Sequence, residues 1–296
     1  MVLKTLRFFR RLLALEELLR FMLQNGRIHQ QYMQLKFVDN KEAYLTNIVN
    51  GHKHIIQFYG LTKSQDEEKY SLVLEHADGG TLRDYLRDDT ITFEWKDQLK
   101  FAKEIASAIL WLHDDKGIVH GDLHPNNILV HQNTIKLLDF GHSFLKGSDC
   151  YNTEVWGVIP YVDSKTFDRG TSYKINEKSD IYSLGVVLWE LTSRSSPFNY
   201  ETKNDHISLM LDIFNGLREK PVQNTNDIFV RLYKKCWEHK PNKRPYICEI
   251  NKVLNSIDSE NTISYSNEEE VNEEREGEDS DLSNCGIDCD INKYKL

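Results

Sequence analysis

Two short loops carry the residue types from which chemistry could be built. The first is His120-Gly121-Asp122-Leu123-His124-Pro125-Asn126-Asn127, and twelve residues beyond Asn127 stands Asp139-Phe140-Gly141. A carboxylate such as Asp122 can orient a hydroxyl and take its proton as the oxygen attacks. An amide and a second carboxylate, Asn127 and Asp139, are oxygen donors suited to a hard cation such as magnesium. Neither segment is specific alone, because short polar motifs recur by chance. An Asp-Phe-Gly triplet is otherwise only a turn beside an apolar residue.

The surrounding elements make the pair specific. Ile128-Leu129-Val130 and Ile135-Lys136-Leu137-Leu138 read as two short apolar strands about a turn at Gln132-Asn133. That hairpin sets Asp122, Asn127 and Asp139 at the same end of two strands, facing one pocket. Upstream, Phe93 to His113 has helical periodicity, with Leu99, Ala102, Ile105, Ala106, Ile109 and Leu112 on one face.

An H-x-D-x-x-x-x-N loop followed at short range by D-F-G resembles the catalytic and metal loops of the eukaryotic protein kinases. The resemblance runs in order from about residue 52 to 258. Leu72-Val73-Leu74-Glu75-His76-Ala77 is similar to the strand and hinge that hold adenine, with Leu74 as gatekeeper and backbone groups of Glu75 and Ala77 on the base. Gly79-Gly80-Thr81-Leu82 resembles the hinge exit into a helix. Ser179-Asp180-Ile181-Tyr182-Ser183-Leu184-Gly185 is similar to the start of the central helix, where Asp180 would brace the catalytic loop. Trp237 with Pro241-Asn242-Lys243-Arg244-Pro245 resembles the penultimate helix and its closing turn.

The resemblance implies an α+β, two-lobed kinase-like fold, with a small β-rich N-lobe and a mainly helical C-lobe. Residues 1–258 would be the kinase domain, 1–77 as N-lobe and hinge and 78–258 as C-lobe. It implies transfer of the ATP γ-phosphate to a protein hydroxyl, with Asp122 as base and Asn127 and Asp139 holding Mg2+. The Gly-Gly-x-Leu exit, the Pro-Tyr-Val platform and the Trp-x-x-x-Pro-x-x-Arg-Pro ending look most like the tyrosine-kinase-like group. That group mainly modifies serine and threonine. The alternative is a pseudokinase, a kinase-shaped module for nucleotide binding or scaffolding.

Residues 1 to 51 fit the pattern least. No G-x-G-x-x-G segment precedes the hinge; Gly26 is the only glycine before residue 51. The lysine that would hold the ATP phosphates has two candidates, Lys4 in Val2-Leu3-Lys4 and Lys36 in Gln34-Leu35-Lys36. Glu42 is the expected partner of that lysine. Lys36 lies only six residues before Glu42, a tight span in which to end a strand and enter a helix, whereas Lys4 leaves room for an insertion. Leu6 to Gln24 reads as an amphipathic helix packed on the small lobe. Its longest apolar run, Leu12 to Leu15, is too short to span a membrane, and Glu16 and Glu17 break any signal-peptide core.

The catalytic segment departs from the kinase pattern at several points. Gly121 stands where an arginine commonly binds a phosphorylated activation loop, so activity should not require phosphate on Ser143, Ser148, Tyr151 or Thr153. His124 replaces a phosphate-contacting lysine, and Val158 replaces a hydroxyl residue. Asp163-Ser164-Lys165 stands in place of Ala-Pro-Glu. Lys165 cannot then form the usual buried ion pair with Arg244, and two like charges there would be costly.

Charge is unevenly placed. Residues 259–296 hold twelve acidic and three basic residues and so carry the whole net charge of −9. Such a tail is too polar to offset the entropy of ordering and reads as a disordered, solubilising segment. With no basic stripe, nucleic acid is not an expected partner. Five scattered cysteines fit a reducing compartment, and nothing addresses the chain beyond the cytoplasm. Cys285 and Cys289 lack the second pair or histidine that a metal site would need.

Overall fold

The computed structural model describes residues 33–62, 70–148, 157–168, 170 and 173–258. Lys4, the stretch from Leu6 to Gln24, Gly26, Tyr151, Thr153 and the tail with Cys285 and Cys289 lie outside them.

Among the described residues a three-stranded antiparallel sheet comes first, made of β1 (Met33–Val38), β2 (Phe58–Thr62) and β3 (Tyr70–Glu75) in the order β1-β3-β2. Strand β3 takes the centre because Ser71-Leu72-Val73-Leu74 is buried on both faces. Its register sets Lys36 opposite Leu72 and Gln34 opposite Leu74. Between β1 and helix α1 (Asn40–Val49) there is a single residue, Asp39, whose carboxylate caps the helix by accepting the Glu42 amide at 2.7 Å. The span from Lys36 to Glu42 is therefore sufficient, contrary to expectation: an Asp N-cap turns strand into helix in one residue.

Helix α1 packs Ala43 into a cluster with Ile56, Phe58, Leu72, Leu74 and Leu129. Its far end is fixed to the helical region. The Trp111 indole donates to the Val49 carbonyl at 2.9 Å, and the His52 ring stacks on Trp111 with centroids 5.6 Å apart.

The helical region comprises α2 (Leu82–Arg87), α3 (Trp95–Leu110), α4 (Glu177–Ser193), α5 (His206–Phe214), α6 (Asp227–Cys236) and α7 (Ile247–Ser256). Helix α3 ends in a π-helical turn at Trp111–Asp115. All six apolar residues expected on one face of this stretch are buried. Helix α4 is buried without a break from Lys178 to Leu191, so it is the central post rather than an amphipathic surface helix. Gly185 allows α6 to approach it, since a Cβ there would lie 2.8 Å from the Cys236 Cβ.

Four short strands carry the loops. Strands β5 (Ile128–His131) and β6 (Thr134–Leu137) pair as the expected hairpin, with Gln132 and Asn133 at φ of 48° and 57° in the turn. Strands β4 (Ile118–Val119) and β7 (Phe144–Leu145) pair just before the first loop and just after the second. Among the described residues no helix is long and apolar enough to cross a membrane.

Candidate active site

The Asp122 carboxylate is held through one of its two oxygens. The Asn127 amide donates to the Asp122 carbonyl at 2.9 Å and to Asp122 Oδ2 at 3.2 Å. His124 Nε2 lies 3.5 Å from the same oxygen and 3.1 Å from the Asn127 nitrogen. Oδ1 takes no hydrogen bond among the described residues and lies against Gly157, where a Cβ would stand 3.1 Å away and crowd it. Burial pushes the Asp122 carboxyl up, but the His124 hydrogen bond and the neighbouring imidazoles outweigh it and hold it below its ordinary value. The group is thus ionised at neutral pH and able to receive a proton.

Asp180 braces this loop from α4. Its Oδ2 accepts the His120 amide at 2.8 Å and the His113 ring at 2.7 Å, and its Oδ1 accepts the Gly121 amide at 2.9 Å. Full burial alone would raise the Asp180 carboxyl; the His113 contact and nearby charges bring it below its usual range. His120 links the loops, accepting the Asp122 amide and reaching the Leu138 carbonyl at 3.1 Å. Its ring lies 5.5 Å from that of Phe140.

Asp139 opens the second loop with φ at 69°, a left-handed conformation that aspartate tolerates because its short side chain bonds the local backbone. Here Asp139 Oδ1 accepts the Gly141 amide at 3.2 Å. The Glu42 carboxylate arrives from α1. A Cβ on Gly141 would lie 3.2 Å from Glu42 Oε2 and 3.3 Å from Asp139 Oδ1, so the glycine admits two carboxylates to one small space.

With its nitrogen spent on Asp122, Asn127 presents Oδ1 without a partner among the described residues. Asn127 and Asp139 therefore fit a hard cation as oxygen donors. Among the described residues no group of three or more ligating side chains forms. Magnesium suits that sparse set, since it commonly takes one or two protein oxygens and completes its shell with phosphate and water.

The expected adenine residues lie at the end of β3 and just beyond it. Leu74 is buried in the α1 cluster, and Leu129 joins it from β5. Glu75 donates its amide to the Gln57 carbonyl at 2.9 Å, and its carboxylate pairs with Lys136 at 3.0 Å. Ala77 is half-buried, and its backbone takes no partner among the described residues. The Gly79 amide then donates to the Val130 carbonyl at 2.9 Å, where a Cβ would stand 2.9 Å from the same oxygen. Lys36 lies on β1, one strand from Leu74.

The platform after the loops departs from expectation. Lys165 does not face Arg244; it turns outward and pairs with Asp168 at 2.7 Å. Asp163, two residues earlier, takes the place of the missing glutamate. Its oxygens meet Arg244 Nη1 and Nη2 at 2.7 Å each, and both side chains are almost wholly buried. Tyr173 and Ser179 hydroxyls donate to Asp163 Oδ2 at 2.8 and 3.0 Å. The anticipated clash of like charges is absent because the acid moved along the chain. Ser143 is fully buried with its hydroxyl on the His120 carbonyl at 2.8 Å, which removes it from the accessible phosphorylation sites.

The sheet, the hinge, the helical region and the paired loops together define the protein kinase class. Residues 22–254 match the family described as protein tyrosine and serine/threonine kinase, and the chain belongs to that family. It is 32% identical over 226 residues to a LIM domain-containing serine/threonine-protein kinase of Dictyostelium discoideum, covering 76% of this chain and 23% of that protein. A further Dictyostelium discoideum serine/threonine-protein kinase is 33% identical over 227 residues, with 75% and 51% covered. U-box domain-containing protein 33 of Arabidopsis thaliana is 34% identical over 218 residues, with 69% and 25% covered. The chain thus spans between about a quarter and about half the length of these relatives.

Proposed function

We propose that the chain is an active protein kinase that transfers the γ-phosphate of ATP to serine or threonine hydroxyls of a protein substrate. The observation that carries this reading is the Asp122 carboxylate, bound at Oδ2 by Asn127 and His124, with Oδ1 taking no hydrogen bond among the described residues. Asp122 orients the acceptor hydroxyl and takes its proton as that oxygen bonds to the γ-phosphorus and the bond to ADP breaks. Asn127 Oδ1 and Asp139 would hold Mg2+, which supplies neutralisation of phosphate charge. Lys36 would serve the phosphates with Glu42 as its partner, while Leu74, Glu75 and Ala77 would receive adenine. The matched segment includes Lys36 and leaves out Lys4. The serine/threonine assignment follows the names of the relatives. Residues 1–258 form the kinase domain and 259–296 an acidic tail. Five scattered cysteines in the sequence suit a reducing compartment, in keeping with the cytoplasm.

The test is transfer of labelled phosphate from magnesium-ATP to a generic protein acceptor, with Asp122→Asn and Asp139→Asn beside the parent chain. Loss of about 10²–10⁴-fold is expected for Asp122→Asn, the scale of general-base catalysis. Equal transfer by both variants, or none by the parent chain, would leave the scaffold reading standing instead.

A further inference from the structure

We infer that the cleft beside Asp122 selects acceptor segments bearing negative charge next to the acceptor hydroxyl. The inference rests on the kinase reading above and adds the substrate class. The cleft encloses about 470 Å³; one wall is the segment His124-Pro125-Asn126 that follows the base, and the other carries Arg83, Glu201, Lys203 and His206.

Apart from Asp122 itself, the acids nearest this cleft are already engaged by the protein. Glu190, buried in α4, accepts Arg87 Nη2 at 2.5 Å and the Tyr161 hydroxyl. Glu201 Oε1 accepts Arg83 Nε at 2.9 Å and Arg87 Nη2 at 3.2 Å. Two guanidinium groups from α2 therefore balance two carboxylates, and a basic substrate side chain would have to displace one of them. Asp205, at the neighbouring helix start, spends its carboxylate on the Ser208 amide at 2.9 Å.

The cations of the same wall are less fully used. Lys203 is exposed, and its ammonium meets no acid among the described residues. Arg83 is 42% exposed and gives one N–H to Glu201, leaving both Nη groups toward solvent. His206 begins α5, its ring tilted against Tyr200 with centroids 4.6 Å apart. The cleft wall is thus two permanent cations against one carboxylate that a third cation shares from behind. Carboxylates and phosphates are the groups that such a wall recognises, and charge complementarity of this kind fixes partner choice more than raw affinity.

Four peptides alike except for the residues flanking one acceptor serine provide the test, with glutamate, phosphoserine, alanine or lysine in the flanks. Glutamate should give a kcat/KM about tenfold above lysine, the scale that two partly exposed ion pairs supply, and the ratio should shrink as salt rises. Lys203→Glu should bring that ratio to one or below. A gain with phosphoserine but not glutamate assigns the site to phosphorylated segments, and a gain with both assigns it to acidic ones. Equal or better use of the lysine peptide, or a ratio indifferent to Lys203→Glu, overturns the inference while the kinase reading stands. Failure of any peptide to show Asp122-dependent transfer would bring down both.

Discussion

Gly121 shows how one residue's conformation can decide what its neighbours are able to do. Its φ is 80°, and a Cβ there would stand 2.8 Å from the His142 carbonyl oxygen. Its amide is fixed on Asp180 at the same time, so the backbone cannot turn away to make room. A side chain at this point meets left-handed strain of about 1–2 kcal/mol before any contact is counted. Gly121→Ala and Gly121→Arg should therefore lower stability by at least that amount in chemical denaturation. An arginine variant as stable as the parent chain would show that the loop relaxes freely. Treatment with phosphatase should leave the activity of the parent chain unchanged, since Ser143 is sealed in the core and no arginine at 121 is there to receive a phosphate. The importance of Gly121 was legible in the sequence as a missing arginine. The close approach of the His142 carbonyl was not, because it depends on where the second loop passes.

At the scale of elements, what the sequence discloses divides by how local the cause is. The β5–β6 hairpin and the buried face of α3 follow from short-range periodicity and turn residues, and both form where that pattern sets them. The pairing of Asp163 with Arg244 joins positions 81 residues apart. It could not be found by aligning a three-residue motif, which points to Lys165. The 3-10 turn at Ser164–Phe167 turns Lys165 to the outer side and leaves Asp163 beneath it, within reach of the arginine. Arg244 is otherwise satisfied by the Glu238 carbonyl at 2.7 Å and the Lys178 carbonyl at 2.8 Å. Asp163→Ala would strand a buried guanidinium, and a loss of about 3–5 kcal/mol is expected. Lys165→Ala removes only a partly exposed pair and should cost no more than about 1 kcal/mol. Urea denaturation of the two variants side by side decides the matter. Similar losses for both would mean that the pair has not moved to Asp163.

For the whole molecule, the chemistry depends on bringing the sheet and α1 together with the loops of the helical region. Helix α1 is the joint: Asp39 starts it directly after β1, Trp111 anchors its end, and Glu42 reaches the space beside Asp139. The sequence disclosed the two loops but left the phosphate lysine open, because a one-residue passage from strand to helix has no signal beyond an aspartate cap. Glu42 and Asp139 meet beside Gly141, and Lys36 is carried by the strand that leads straight into α1. Magnesium-ATP should then act as a clamp between the two regions. At a hundredfold excess over its dissociation constant, a ligand adds about 2.7 kcal/mol to stability. For a folded region of this size that corresponds to a rise of roughly 5–10 °C in Tm. Lys36→Met should abolish the rise seen with magnesium-ATP, and Lys4→Met should keep it. Thermal melts with and without nucleotide separate the cases without relying on turnover. A shift that survives in Lys36→Met and vanishes in Lys4→Met would move the phosphate lysine to the start of the chain, and with it the whole account of how α1 is held.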